Sequence, residues 1–242
     1  MISFLYLPVN GWYDRPRGDN TVLEIAEQQI QKRGRILSVD RLDPRHSALV
    51  VIDVQNDFCS PDGVVARSGK DVSGALEMIP RLIELIDGAR SNDVPVVLVR
   101  TTHSDDSTTD SWRFRTGKKE STPNCVPGSW GADFFQIIPH PNDHVVTKHR
   151  YSAFNSAEFV NVISRLNRPS LFFCGVATNI CVETSVRDAT CADYYATLVS
   201  DCSGAYSKEL HAATIKNVQN NFGLVVTVRE LLGAWQKVGS AH

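Results

Sequence analysis

Six short runs rich in Val, Ile, Leu and Phe, each separated from the next by a segment long enough for a helix, constrain this chain more than any other feature of it. They fall at residues 48–54, 94–100, 144–147, 171–175, 196–200 and 224–228. Apolar runs of this kind, lacking the alternation of a half-exposed strand, predict strands buried on both faces. With helices between them they predict an α/β domain in three layers, a six-stranded parallel sheet covered on both sides. The intervening segments agree. Residues 80–91 place Leu82, Ile83, Leu85 and Ile86 at helical spacing, with Pro80 suited to a first turn. Residues 156–167 put Phe159, Val160, Ile163 and Leu166 on one face behind a Ser156 N-cap. Further helices are expected over 181–192, 208–221 and 228–238.

At 242 residues, with no Pro/Gly/Ser-rich linker, the chain is read as one folded domain over 45–242, preceded by an N-terminal arm over 1–44. The arm carries Trp12, Tyr13, Arg15 and Arg17 and leads into a short helix expected around 22–31. It could pack on its own domain, cover the site or reach a neighbouring subunit. The longest irregular stretch, 101–131, contains Arg113, Arg115, Lys118, Lys119, Cys125 and Trp130 and reads as a substrate-covering excursion.

The 25 basic and 27 acidic residues are well mixed, for a formal charge of −2, which leaves no basic stripe for nucleic acid and no polybasic patch for a membrane. The apolar run at the N-terminus is short, is preceded by no Lys or Arg and is cut off by Pro8, and no stretch approaches a membrane span. Six cysteines show neither C-x-x-C pairs nor the density of a disulfide scaffold. A cytoplasmic protein acting on a small molecule is expected. Residues 63–70 match a phosphate loop only by chance.

Chemistry gathers at strand ends. The strand over 171–175 runs through Val176, Ala177, Thr178, Asn179 and Ile180 into Cys181 at a helix start, where unpaired amides and the helix dipole are expected to favour a thiolate. Asp53 closes the run from Ala48 to Val54, and Lys148 follows the run that begins at His144. In an open parallel sheet the ligand crevice lies beyond the carboxyl ends of the strands, so these three residues are expected to converge. Taken singly, each has a plainer reading: a buried packing cysteine, a turn-capping aspartate, a solvated lysine.

Together the three segments resemble the cysteine hydrolases of the isochorismatase-like superfamily, over roughly residues 45–235. The resemblance rests on Val51-Ile52-Asp53-Val54-Gln55-Asn56-Asp57-Phe58, on Thr147-Lys148-His149-Arg150-Tyr151-Ser152-Ala153-Phe154, and on Gly175-Val176-Ala177-Thr178-Asn179-Ile180-Cys181-Val182-Glu183-Thr184 with Arg187-Asp188-Ala189. It implies a Rossmann-like sheet, an Asp53–Lys148–Cys181 triad and a cis peptide bond between Val176 and Ala177. It also implies assembly as a homodimer or homotetramer. In physical terms, a thiolate at a turn of backbone N–H groups, those of Val176, Ala177 and Cys181, can attack an amide carbonyl. Asp53 would relay the proton and Lys148 would keep Asp53 ionised and oriented.

Within the superfamily, nicotinamidases bind a metal through Asp-x-His after the second strand. Here the sequence reads Thr101-Thr102-His103, and His140, His144 and His149 lack the spacing of a metal site, so no metal and no cofactor are expected. The motifs look most like the ureidoacrylate amidohydrolase branch, with biuret, triuret and N-carbamoyl amino acid hydrolases nearby. Candidate pocket residues are Asn56, Phe58, Trp130, Tyr151, Phe154, Asn179 and Ile180, and Arg113, Arg115 or Arg150 would clamp a substrate carboxylate. The rival readings are a thiol redox protein using Cys181 with Cys174 or Cys191, and an inactive binding module on the same fold.

Overall fold

The computed structural model describes residues 40–115 and 123–239. Most of the arm, its helix expected over 22–31, and Lys118 and Lys119 lie outside the described residues. Six strands form one parallel sheet: β1 Ser47–Ile52, β2 Val96–Thr101, β3 His144–Lys148, β4 Ser170–Val176, β5 Tyr195–Gly204 and β6 Leu224–Val226, in the order β3-β2-β1-β4-β5-β6. The helices are α1 Ser73–Ser91, α2 Ala157–Leu166, α3 Glu183–Cys191, α4 Lys208–Asn217 and α5 Val228–Gly239.

The strands read as uninterrupted apolar runs because each face of the sheet has its own core. Leu49 and Val51 of β1, Leu98 of β2 and Phe172 and Cys174 of β4 pack with Met78, Leu82 and Leu85 of α1 and Leu231 and Trp235 of α5. Ala48, Val50 and Ile52, with Val97, Val99, Leu171 and Phe173, pack the other way against Phe159 and Ile163 of α2 and Val186 and Ala189 of α3. Neighbours along a strand thus serve opposite cores, as the two-residue strand repeat requires.

Several boundaries differ from expectation. Pro80 lies inside α1, not at its start. The helix begins at Ser73 because Ala75, Met78 and Ile79 extend the buried stripe of Leu82, Leu85, Ile86 and Ala89 by two turns. Pro80 falls on the exposed side, where a missing backbone N–H is tolerated most cheaply. α2, by contrast, begins as expected behind its Ser156 N-cap, whose Oγ accepts from the Phe159 N–H at 3.4 Å. β5 runs on through the polar residues 201–204, after a shift in its register with β4 that pairs Ser203 with Gly175 and Gly204 with Val176. The helices expected from 181 and to 221 each include a wide helical turn instead, Thr178–Val182 before α3 and Val218–Phe222 after α4.

The winding of the parallel strands changes side between β1 and β4, the point in the order where a crevice must open. Ile52 and Gly175 are register partners there. Gly175 has φ +110°, and a Cβ on it would meet the Ile52 carbonyl oxygen at 2.1 Å. Only glycine lets β4 come this close to the last residue before Asp53. Gly175→Ala is therefore expected to cost about 2–4 kcal/mol of folding stability. Urea denaturation would measure it, and an unchanged midpoint would contradict this account of the crevice.

Candidate active site

Three strand ends meet at the crevice. Asp53 follows β1 in left-handed backbone, φ 53°, with its N–H held by the Val99 carbonyl at 2.8 Å. Aspartate tolerates this region better than most residues, and the cost is one that functional sites commonly carry. Lys148 ends β3 with its side chain fully buried. Its Nζ donates to Asp53 Oδ2 at 2.6 Å, to Thr101 Oγ1 at 2.6 Å and to the Arg150 carbonyl at 3.0 Å. All three ammonium donors are thus satisfied, as burial of the charge demands. Thr101 is fixed in turn by the buried Gln55, which accepts from its N–H at 2.7 Å and donates to its carbonyl at 2.9 Å.

β4 delivers Cys181. The Val176–Ala177 peptide bond is cis, and the chain then makes its wide turn, with the Val182 N–H returning to the Ala177 carbonyl at 3.3 Å. The turn is braced from behind. Glu183 accepts from Thr214 Oγ1 of α4 at 2.6 Å and from the Arg187 guanidinium. Ser185 Oγ donates to the Cys181 carbonyl at 2.7 Å and accepts from the Ala153 N–H at 3.0 Å, tying the cysteine turn to the loop that follows Lys148.

The electrostatics add burial to the helix-start argument. Burial pushes the half-buried Cys181 thiol well above its ordinary pKa; Lys148 pulls it down, and Asp53 adds to the rise. Desolvation and the neighbouring carboxylate thus work against the thiolate, and Lys148 works for it. For Lys148, burial works against the charge, but Asp53 and Cys181 more than offset it and hold the ammonium above the ordinary lysine value. Asp53 Oδ1 is buried and accepts no hydrogen bond, while the thiol lies within hydrogen-bonding influence of both Asp53 and Lys148. A protonated thiol beside a carboxylate with one uncommitted oxygen can transfer its proton without any group moving far.

A pocket of about 330 Å³ opens over these residues. Of the sequence candidates, Phe58, Tyr151, Ile180, Arg115 and Arg150 line it together with Asp53, Cys181, Val176 and Ala177. Asn56, Trp130, Phe154 and Asn179 do not. Asn56 Nδ2 donates to the Trp130 carbonyl at 2.7 Å and so holds a loop, Trp130 itself is half exposed, and Phe154 packs edge-on against Phe159 in the core. Arg113 points to an adjoining hollow and pairs with Asp105 at 3.2 Å.

Sequence reasoning missed Lys70, Trp112, Asn124 and Tyr206, all of which line the pocket. Tyr206 could have been found, since it follows a strand's carboxyl end. Trp112 and Asn124 sit in the excursion already singled out. Lys70 lies in a segment that offered no signal. His103, set aside above as a metal ligand, lines the pocket, and burial together with Lys148, Arg115, His149 and Arg150 lowers its pKa to about 4. Among the described residues no three His, Cys, Asp or Glu side chains are grouped to hold a metal ion, and no helix is long and apolar enough to cross a membrane.

Comparison with known proteins places this geometry in context. The Isochorismatase domain matches residues 47–230. The ureidoacrylate amidohydrolase RutB of Azorhizobium caulinodans is 31% identical over 207 residues, covering 79% of this chain and 91% of its own. A cysteine hydrolase from Pseudomonas syringae pv. phaseolicola superposes with a TM-score of 0.70 at 20% identity, over 81% of this chain and 94% of its own. An isochorismatase family protein from Desulfovibrio vulgaris gives a TM-score of 0.68 at 26% identity, over 81% and 99%.

The depressed His103 pKa makes a test of the pocket's electrostatics. The unfolded chain takes up the His103 proton near pH 6.5 and the folded one only near pH 4. Stability therefore holds above pH 6.5 and is lost as pH falls towards 4. Thermal melts of His103→Gln should show a shallower loss across that window than the natural chain. Identical slopes would contradict the placement of His103 among the cations.

Proposed function

The chain belongs to the isochorismatase domain family, and from that premise we propose that it is an amidohydrolase that cleaves a C–N bond of a small ureido or carbamoyl compound through a covalent intermediate on Cys181. The observation that carries the reading is the divided use of Asp53: Oδ2 is held by Lys148, Oδ1 is buried without a partner, and the carboxyl lies within hydrogen-bonding influence of the Cys181 thiol. Asp53 Oδ1 takes the thiol proton as sulfur attacks the substrate carbonyl carbon, and the carbonyl electron pair moves to oxygen. Backbone N–H groups of the cis-peptide turn, among Val176, Ala177 and Cys181, receive that oxyanion. Collapse expels the amine, which carries away the proton from Asp53 and leaves an S-acyl or, from a ureide, an S-carbamoyl cysteine. Water then gives a proton to Asp53 and its hydroxyl to the carbonyl carbon. The sulfur departs and recovers the proton. A ureide yields a carbamate from either side of the carbonyl, with ammonia as the other product when the terminal nitrogen leaves.

Lys148 keeps its charge throughout; its part is to hold Asp53 in place and make the carboxylate available at each proton transfer. The domain that does this is proposed to span 45–242, with the preceding arm as a separate segment that suits contact with a partner subunit in a dimer or tetramer. The amidohydrolase named among the relatives supports a ureidoacrylate-like substrate, and biuret-type or N-carbamoyl amino acid substrates would use the same triad.

The test is hydrolysis over a panel of ureides, biurets, N-carbamoyl amino acids and simple amides. One class should be turned over, and Cys181→Ala and Asp53→Asn should each reduce kcat by about 10³-fold or more. Turnover that survives in Cys181→Ala would remove the thiol from the mechanism.

A further inference from the structure

The turn that carries Cys181 has little of its own to hold it. Over Thr178–Val182 it is closed from within by the Ile180 and Val182 N–H groups, which both donate to the Ala177 carbonyl, at 3.0 and 3.3 Å. Turns of this width are rare and occur mostly at functional sites. Two bonds converging on one carbonyl leave the direction of the cysteine side chain to whatever grips the turn from outside.

α4 grips it at both ends. At the entry, Oγ1 of the fully buried Thr178 shares a hydrogen bond with His211 Nδ1 at 3.0 Å. At the exit, the buried Glu183 carboxylate accepts from Thr214 Oγ1 at 2.6 Å and from Asn217 Nδ2 at 3.3 Å. Burial raises the Glu183 pKa, but Thr214, Arg187 and Asn217 more than offset it and hold the group below its ordinary value, so the exit anchor is charge-assisted. Residues 211, 214 and 217 are three apart and form one stripe along α4. A surface helix normally seats itself by an apolar stripe, as α1 and α2 do. In α4 only Thr214 is buried, Ile215 is partly so, and Leu210 is half exposed. The helix meets the turn through imidazole, hydroxyl and amide instead, and hydrogen bonds fix distance and direction where apolar contacts do not.

We infer that the His211–Thr214–Asn217 stripe of α4 is the positioning element of the nucleophile, holding the Cys181 turn at both ends and so fixing how Sγ approaches Asp53 and the substrate carbon. None of the three lines the pocket; they act through Thr178 and Glu183. The inference rests on the reading of Cys181 as nucleophile, whereas the grip itself rests on the hydrogen bonds alone. Misplacement of a reacting atom by about 1 Å costs on the order of 10²-fold in rate, so a grip remote from the chemistry is worth that much.

The experiment measures kcat and KM for Thr214→Val, His211→Leu, Thr214→Ser and His211→Asn in the full chain. Alongside, the rate at which iodoacetamide alkylates Cys181 is followed against pH, read by mass spectrometry on the Cys181 peptide so that the exposed Cys191 does not contribute. Thr214→Val and His211→Leu each release one end of the turn and should lower kcat about 10- to 100-fold while KM stays within about threefold. Thr214→Ser and His211→Asn retain a hydrogen-bonding atom and should recover kcat to within about threefold of the natural chain. The pH midpoint of alkylation should move in the first pair and stay in the second, because a released turn changes the distance of Sγ from Lys148 and Asp53, which a loss of stability alone does not. His211→Leu, at a half-buried position, carries the test if Thr214→Val fails to fold. If the natural chain hydrolyses nothing offered, the hydrolase reading falls and the alkylation midpoints still decide the positioning claim. An unmoved midpoint in the folded Val and Leu variants, or a loss in Thr214→Ser as deep as in Thr214→Val, would overturn the inference.

Discussion

A carboxylate and an ammonium, both shut away from water, face each other over 2.6 Å at the carboxyl ends of β1 and β3. Removing two charges from water is costly, and a buried pair seldom repays that cost in stability. The surroundings are organised to make this one tolerable. Thr101 and the Arg150 carbonyl complete the ammonium, Gln55 fixes Thr101, and the left-handed backbone at Asp53 turns the carboxylate towards its partner. Leaving either charge alone would cost about 3–5 kcal/mol, so the strand ends that carry them are fixed relative to each other.

The sheet order makes the pair useful. With β1 and β4 adjacent at the crevice, the turn after β4 brings a thiol within hydrogen-bonding influence of Asp53, whose Oδ1 Lys148 leaves without a partner. Burial and Asp53 push the Cys181 thiol up and Lys148 pulls it down, so the carboxylate is the group proposed above to take the thiol proton and pass it to a leaving amine. Burial, with the cations around it, lowers the His103 pKa to about 4, so among the pocket's basic side chains the positive charge rests on Lys70, Arg115 and Arg150 beside the buried Lys148.

Much of this was legible in the sequence, and the limits have physical causes. The six strands were readable because burial on both faces removes alternation, and the convergence of Asp53, Lys148 and Cys181 follows from their places at strand ends. Pro80 misled because local propensity favours a helix start, whereas Ala75, Met78 and Ile79 draw the helix back to Ser73. The polar half of β5 was hidden because its pairing with Gly175 and Val176 depends on a register shift that no local pattern announces. Asn56 looked like a pocket residue and instead holds the Trp130 carbonyl 74 positions away, a contact only the folded chain creates. The hold of α4 on both ends of the Cys181 turn is of the same kind. Desolvation of Cys181 was not legible for a different reason: a helix start can be read locally, whereas burial is set by the whole fold.

The central claim is that Cys181 attacks the substrate and carries part of it covalently. Acid quenching during turnover, followed by mass spectrometry of the peptide containing Cys181, tests it most directly. The account predicts that this peptide gains the mass of the carbamoyl or acyl group while substrate is present and loses it when substrate is exhausted. Sustained turnover with the Cys181 peptide unmodified at every quench time would contradict it.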